Sequence, residues 1–372
     1  MPEARDAAAQ RADAGGPGGE PGAATVRGGA GWRGGERPRV AVLGASGYAG
    51  ALAAALLHRH PRFELAAITS RSDAGRRLDD LYPRHRVPLA MDEWDPARPE
   101  HGDALDAAIV AYPHHAAAPT VAALRDKGVR VIDLSADFRL CDRDVYERWY
   151  GAHEAPGLFG SAVYGLPELG YRDAIRDAGI VANPGCFPTA ALLALAPLAR
   201  AGLLDDVVID AKTGVSGSGR AATDETHFVS VDENVAAYKT AGHRHAPEID
   251  QELAALGAPL TVTFLPHLVP LDQGELITAY VKPSREIGGS ELRNLFESAY
   301  AAEPFVELTE RPPGVRDVFA TNLCRISVHG DRHDGRVIVL AAIDNLWKGT
   351  SSQAVQNLNL MFGFPEDEGI GL

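Results

Sequence analysis

Three cysteines occur among 372 residues: Cys141, Cys186 and Cys324. A cysteine becomes a nucleophile when its thiol ionises, and its surroundings decide whether it does. A lone cysteine is more often a small buried apolar side chain than a nucleophile, and Cys141 and Cys324 are read that way. Cys186 differs by position. It follows an apolar stretch at 179–182 and the turn Asn183-Pro184-Gly185, and it precedes a strongly apolar helix expected to begin near Pro188. A helix N-terminus lowers a thiol's pKa and offers backbone N–H groups to a developing oxyanion. Position alone leaves a nucleophile and a structural thiol equally open.

His243-Arg244-His245 stands just before Ala246-Pro247-Glu248-Ile249, which reads as a helix start. If 243–245 is extended, both imidazoles point to one side, where one can exchange protons with an adduct on Cys186. The rivals are a Cys/His/His metal site, which lacks the usual fourth ligand of zinc, and two surface histidines. The loop Val215-Ser216-Gly217-Ser218-Gly219-Arg220 can cradle an anion with backbone N–H groups, or it is a flexible turn. No Gly-Lys-Ser/Thr follows it, so it is not a P-loop.

A second glycine loop, Gly44-Ala45-Ser46-Gly47-Tyr48-Ala49-Gly50, follows a short apolar run and opens a helix. Glycines there permit a tight turn and close approach to a pyrophosphate, which the helix N-terminus then attracts. Its spacing is G-x-x-G-x-x-G rather than G-x-G-x-x-G. NAD enzymes place an acid about 20 residues further on, to hold the ribose hydroxyls. Here the next strand ends Thr69-Ser70-Arg71-Ser72, with no acid before Asp73. An arginine beside hydroxyls suits a 2′-phosphate, which favours NADP; the plain alternative is a solvated loop charge.

The elements that must position these residues follow the same rhythm. Strands are expected at 39–43, 63–69, 107–111 and 129–134, with helices at 48–58 and 117–127 between them. Alternation of this kind means βαβ units and a parallel sheet. Residues 141–171 read as an irregular connection. After the helix ending at Gly202, strands dominate: 207–211, 260–265, 275–282, 322–328 and 336–343, with helices near 247–256 and 290–300. A last helix near 351–361 has a composition that suits packing back on the first domain. The fold class is α/β: a Rossmann-type dinucleotide-binding domain over 37–185, completed by 344–372, plus an α+β domain with a mixed sheet over 186–343, to which the resemblance given below assigns catalysis and dimerisation.

Bulk properties narrow the function. A chain of 372 residues with 45% hydrophobic and 23% charged residues is ordinary globular material for two domains. A formal charge of −14 argues against nucleic-acid and anionic-membrane partners. Three cysteines without a secretory segment point to a reducing, cytoplasmic setting. No apolar stretch reaches the roughly 18 residues of a membrane span. Residues 1–36, rich in Ala, Gly, Arg and Pro, read as a disordered extension.

Taken in order, the segments GASGYAG (44–50), DLSADFR (133–139), VYGLPE (163–168), NPGCFPT (183–189), VSGSGR (215–220), AGHRHAPEI (241–249), LPHLVPL (265–271) and DNLWKGTSSQAVQNLNLMFGF (344–364) resemble the N-acetyl-γ-glutamyl-phosphate reductase family. That family lies within the semialdehyde dehydrogenase superfamily, and the resemblance runs from about Arg39 to the C-terminus. It implies that Cys186 attacks the γ-carbonyl of an acyl phosphate, that phosphate leaves, and that NADPH reduces the thioester to a semialdehyde. It implies His243 as acid/base supported by His245 and Glu248, and Ser135 and Arg139 in the stretch that holds phosphate. Ser216, Gly217 and Asn345 are implied on the nicotinamide side of NADP(H), and a homo-oligomer is implied as the assembly. Two departures stand out: Gln273 where the family usually has arginine, and KGTSSQA for the commoner KGASGQA. Three alternatives therefore remain at this stage: a reductase of aminoadipyl phosphates, a non-catalytic NADP-binding redox sensor, and a metal-dependent hydrolase using the two histidines.

Overall fold

The computed structural model describes residues 36–95, 98, 101, 104–332 and 335–371. The expected disordered extension at 1–36 lies, but for Glu36, outside the described residues. The chain forms two compact units: one runs to Pro184 and resumes at Thr350–Gly371, the other comprises Gly185–Gly349.

The first unit opens with β1 (Arg39–Leu43), α1 (Tyr48–Arg59), β2 (Glu64–Thr69), β3 (Ala107–Val110), α2 (Ala117–Asp126) and β4 (Arg130–Asp133). It continues with α3 (Arg143–Tyr150), β5 (Val163–Tyr164), α4 (Arg172–Asp177) and β6 (Ile180–Ala182). The sheet order is β2-β1-β3-β4-β6-β5, and every pair is parallel. Its central strands are short: β3 is wholly apolar, and β1 and β4 are apolar except at Arg39, Arg130 and Asp133, as expected of parallel strands covered on both faces. β2 and β3 lie on opposite sides of β1, so the chain reverses its direction of travel through the sheet directly after β1. Open α/β sheets bind ligands at that switch point, and the 44–50 loop occupies it.

Residues 141–171 are more ordered than expected. Asp142 caps α3 by accepting from the N–H groups of Asp144 and Val145. The fully buried Tyr146 then anchors an aromatic group with Tyr150, His153 and Phe159. Cys141 departs from the sequence reading too: it is exposed, whereas Cys324 is buried as expected.

The second unit contains α5 (Cys186–Arg200), β7 (Leu204–Thr213), β8 (Ala236–Ala237), α6 (Ala246–Ala255), β9 (Thr263–Leu268) and β10 (Glu275–Pro283). α7 (Gly289–Tyr300), β11 (Val306–Leu308), β12 (Cys324–Gly330) and β13 (Val337–Ile343) complete it. Its sheet runs β11-β12-β13-β10-β7-β9-β8 and is mixed: β11/β12 and β7/β9 pair parallel, the other neighbours antiparallel. β9 lies three residues later than the 260–265 expected. Every residue of α5 from Phe187 to Ala199 is buried, so this helix is apolar all round and forms the unit's core. It packs on β10 and β13 on one side and on α6 on another. The last helix, α8 (Ser352–Phe362), belongs to the first unit, where it packs on α1 and α4.

Candidate active site

α5 begins at Cys186 itself, not at Pro188, with Gly185 as its N-cap residue. Proline is tolerated anywhere in a first turn, because those N–H groups have no intrahelical partner. Cys186 is thereby the first helical residue, and among the described residues no side chain caps the helix. The sulfur-bearing residue is half-buried. One glycine makes room for it and another for the neighbouring His245 ring. A Cβ on Gly349 would lie 2.8 Å from the Cβ of Cys186, and a Cβ on Gly185 would lie 2.5 Å from Nε2 of His245. Glu248, buried in the first turn of α6, accepts the Gly185 N–H at 2.9 Å and fixes the turn that presents the cysteine.

Residues 243–245 are not extended. His245 is the N-cap residue of α6 with helical dihedrals, and the turn brings the two rings to 4.8 Å between centroids. Phe187, adjacent to the cysteine, contacts both rings edge-on at 5.6 and 5.9 Å. The histidines therefore share the cysteine's surroundings through a helix-start turn rather than through strand alternation. His243 is buried, and desolvation first, then the charges of Lys239 and Arg244, lower its pKa to about 3. Its Nδ1 accepts the His245 N–H at 3.1 Å, which assigns the ring proton to Nε2. At neutral pH His243 is thus an uncharged imidazole presenting an N–H, a hydrogen-bond donor rather than a strong base.

Asn345 braces the neighbouring loop. Its Oδ1 accepts the Gly274 N–H at 2.7 Å and its Nδ2 donates to Ser216 Oγ at 3.0 Å. Gly217 lies beside the same amide, where an added Cβ would stand 3.5 Å from Nδ2. The three residues assigned to the nicotinamide side thus form one connected group within the second unit.

In the first unit the 44–50 loop has the shape a pyrophosphate requires. Gly44 has φ +91°, and a Cβ there would lie 2.7 Å from the Ala111 carbonyl oxygen; a Cβ on Gly50 would lie 2.2 Å from the Gly44 oxygen. Tyr48 and Ala49 begin α1 behind the N-cap residue Gly47, and among the described residues no side chain caps that helix. Ser70 donates to Ser46 Oγ at 2.8 Å and holds the Asp73 N–H, so it shapes the pocket wall from inside. Arg71 is exposed, its guanidinium 6.0 Å from the Tyr112 ring. A dinucleotide with a 2′-phosphate fits this cradle.

Ser135 and Arg139 are both buried and engaged internally. Ser135 donates its hydroxyl to Asp133 Oδ2 at 2.7 Å. Arg139 donates Nε to the Asn183 carbonyl and Nη2 to the Leu134 carbonyl, each at 2.8 Å. Asp133 is sealed from solvent, and burial pushes its carboxyl up to about 7. This network holds the chain end that leads from β6 towards Cys186.

Two family models match: semialdehyde dehydrogenase, NAD binding domain, over residues 39–178, and semialdehyde dehydrogenase, dimerisation domain, over residues 186–345. Among curated relatives, N-acetyl-gamma-glutamyl-phosphate reductase of Moorella thermoacetica is 47% identical over 330 residues, covering 85% of this chain and 93% of its own length. The namesake from Dehalococcoides mccartyi strain CBDB1 is 46% identical over 327 residues, covering 87% and 94%. The chain belongs to the N-acetyl-γ-glutamyl-phosphate reductase family of semialdehyde dehydrogenases. Solved aspartate-semialdehyde dehydrogenases share the enzyme's fold at low identity. The Vibrio cholerae form II structure has a TM-score of 0.67 at 18% identity, covering 88% of this chain and 98% of that one. The Candida albicans structure, with NADP, has 0.66 at 13%, covering 88% and 98%.

Sequence reading missed three residues of the enzyme's cysteine site. Gly349 is needed for the close approach just described. Tyr238 lies edge-on to His243 at 5.7 Å, and burial together with the negative charge of Cys186 and Glu275 raises its phenol. Glu275, at the start of β10, is buried against Cys186 and Thr213. Gln273, the departure from the family pattern, is buried in the turn before β10. Among the described residues no group of three His, Cys, Asp or Glu side chains is placed to hold a metal ion.

Proposed function

We infer that the enzyme reduces N-acetyl-γ-glutamyl phosphate with NADPH to N-acetylglutamate 5-semialdehyde and phosphate, a step of arginine biosynthesis, through a thioester on Cys186. The observation that carries the thioester route is the placement of Cys186 as the first residue of α5, half-exposed and beside His243 and His245. The substrate assignment rests on the 46–47% identity to reductases of that name over nearly their whole length.

Cys186 attacks the γ-carbonyl carbon and phosphate departs with the bonding electron pair. A thioester replaces an anionic acyl phosphate with a neutral hydride acceptor. NADPH supplies the hydride. His243, uncharged with its proton on Nε2, donates to the carbonyl oxygen as negative charge develops there, in the manner of other neutral catalytic imidazoles. His245 and Glu248 keep the turn and ring geometry. Ser135 and Arg139 serve the phosphate side, where Arg139 also braces the Asn183 carbonyl. The 44–50 loop with Ser70 and Arg71 is assigned to the NADP dinucleotide, and the family resemblance gives Ser216, Gly217 and Asn345 a role towards nicotinamide. A homo-oligomer is supported by the match to a dimerisation domain. A cytoplasmic location fits a chain in which no helix among the described residues is long and apolar enough to cross a membrane.

Gln273 motivates one competing substrate, an aminoadipyl phosphate. Side-by-side assay of the two acyl phosphates decides: preference for the acetylglutamyl compound by kcat/KM supports this reading, and preference for the longer one overturns it.

A further inference from the structure

Glu275 is the first residue of β10, paired with Thr213 of β7 on one side and Ile343 of β13 on the other. Strand alternation sets it on the same face as Ile277, Ala279 and Val281, and all four are fully buried. This face carries α5, whose first residue is Cys186. A carboxyl in such a place is isolated from water. Among the described residues neither of its oxygens has a hydrogen-bond partner of ordinary geometry. The groups that act on it are the Cys186 thiol from α5, the Thr213 hydroxyl from β7 and the Asp344 carboxylate just after β13. Tyr238, from the segment after β8, feels both Cys186 and Glu275. None of these is a cation. Burial, aided by Asp344, raises the Glu275 carboxyl to about 8 against the help of Cys186 and Thr213. Buried carboxylates without a cation keep their proton instead of ionising.

We propose that Glu275 is a catalytic group of the Cys186 centre, a protonated carboxyl that donates its O–H to the Cys186 sulfur. This rests on the reading of Cys186 as nucleophile. The thiol proton leaves to solvent, and the thiolate accepts the Glu275 O–H. As the sulfur attacks, the C–S bond forms and the carbon–oxygen bond to phosphate breaks, its electron pair leaving with phosphate. A thioester sulfur is a poor acceptor, so the hydrogen bond slackens. After hydride addition the C–S bond of the thiohemiacetal breaks and its electron pair returns to sulfur, where the Glu275 O–H receives it again. The proton stays on Glu275 throughout. Ionised Glu275 has no proton to donate and repels the thiolate, so it withdraws this support.

The test compares full-length wild type with Glu275→Gln, which cannot ionise but keeps an N–H donor, and Glu275→Leu, which keeps bulk and has no donor. Two readouts are taken from pH 6 to 10: kcat/KM, and the rate of Cys186 alkylation by iodoacetamide, followed on the Cys186 peptide. The wild type is expected to lose about tenfold in kcat/KM per pH unit above its Glu275 ionisation. Glu275→Gln is expected to lower kcat/KM several-fold at pH 7 and to abolish that alkaline limb. Glu275→Leu is expected to lower both readouts at pH 7 by roughly 10- to 100-fold, a charge-assisted hydrogen bond's worth, with NADPH binding retained. An unchanged alkaline limb in Glu275→Gln overturns the proposal, even where the leucine variant does not fold. Retained turnover in Cys186→Ser would instead overturn the nucleophile reading, whatever Glu275 does.

Discussion

The Cα of Gly185 lies so close to the imidazole of His245 that an added Cβ would stand 2.5 Å from its Nε2. The residue before the nucleophile and the histidine that starts α6 are thus in mutual contact, and Glu248 ties the same glycine's N–H to the same helix at 2.9 Å. The cysteine's position is set by this contact as much as by its own helix.

Gly185→Ala is therefore expected to displace either the turn or the ring. Misplacing a reacting group by about 1 Å costs on the order of 100-fold in rate, so kcat should fall by about 10- to 100-fold. Circular dichroism and NADPH titration should show the fold and the cofactor site retained.

Much of this was legible beforehand. The order of strands and helices, the glycine loop after β1 and the position of Cys186 before an apolar helix all follow from local patterns. What escaped depends on tertiary packing or on proline placement. The sequence suggests Pro188 as the opening of α5, but a proline in the third helical position lacks only an N–H that has no intrahelical partner, and the helix starts at Cys186. The aromatic segment after Cys141 hid α3, because the burial of Tyr146 comes from His153 and Phe159 rather than from a regular apolar stripe. Glu275 left a signal that went unread: counting by twos along 275–281 puts a carboxylate in line with Ile277, Ala279 and Val281. A charged residue on an apolar strand face is costly unless it is paired or keeps its proton, so one standing there marks a position to inspect.

Arg71 is expected to discriminate NADPH from NADH. A charge-assisted hydrogen bond to a 2′-phosphate is worth roughly 1.5–3 kcal/mol, so Arg71→Ala should raise the KM for NADPH by about 10- to 100-fold. The KM for NADH should scarcely move, as steady-state titration of both cofactors would reveal.

His243 makes the enzyme acid-sensitive. Its ring takes up a second, charging proton only below about pH 3 when folded, but already near 6.5 when unfolded. Between those values the unfolded chain binds the extra proton, so stability falls as pH drops, by at most about 1.4 kcal/mol per pH unit. His243→Asn should flatten that part of the stability curve in denaturant titrations between pH 4 and 6.5. An equally steep curve in the variant would contradict the buried neutral ring.

Glu275 acts in the opposite sense. The folded carboxyl keeps its proton up to about pH 8, while the unfolded one releases it near 4.5. Folding above pH 4.5 must therefore take up a proton, and this residue's contribution to stability declines with rising pH until about 8. Relative to wild type, Glu275→Gln should gain stability steadily from pH 5 to 8 in the same titrations; a constant difference would mean that the carboxyl ionises normally in the folded protein.

The most direct test of the thioester route is to mix the enzyme with N-acetyl-γ-glutamyl phosphate in the absence of NADPH and to record intact-protein mass alongside phosphate release. The account predicts a rapid release of one phosphate per site with a covalent N-acetylglutamyl group on the Cys186 peptide, and neither in Cys186→Ser. Reduction of the acyl phosphate by Cys186→Ser at the wild-type rate, or phosphate release with no adduct on that peptide, would contradict it.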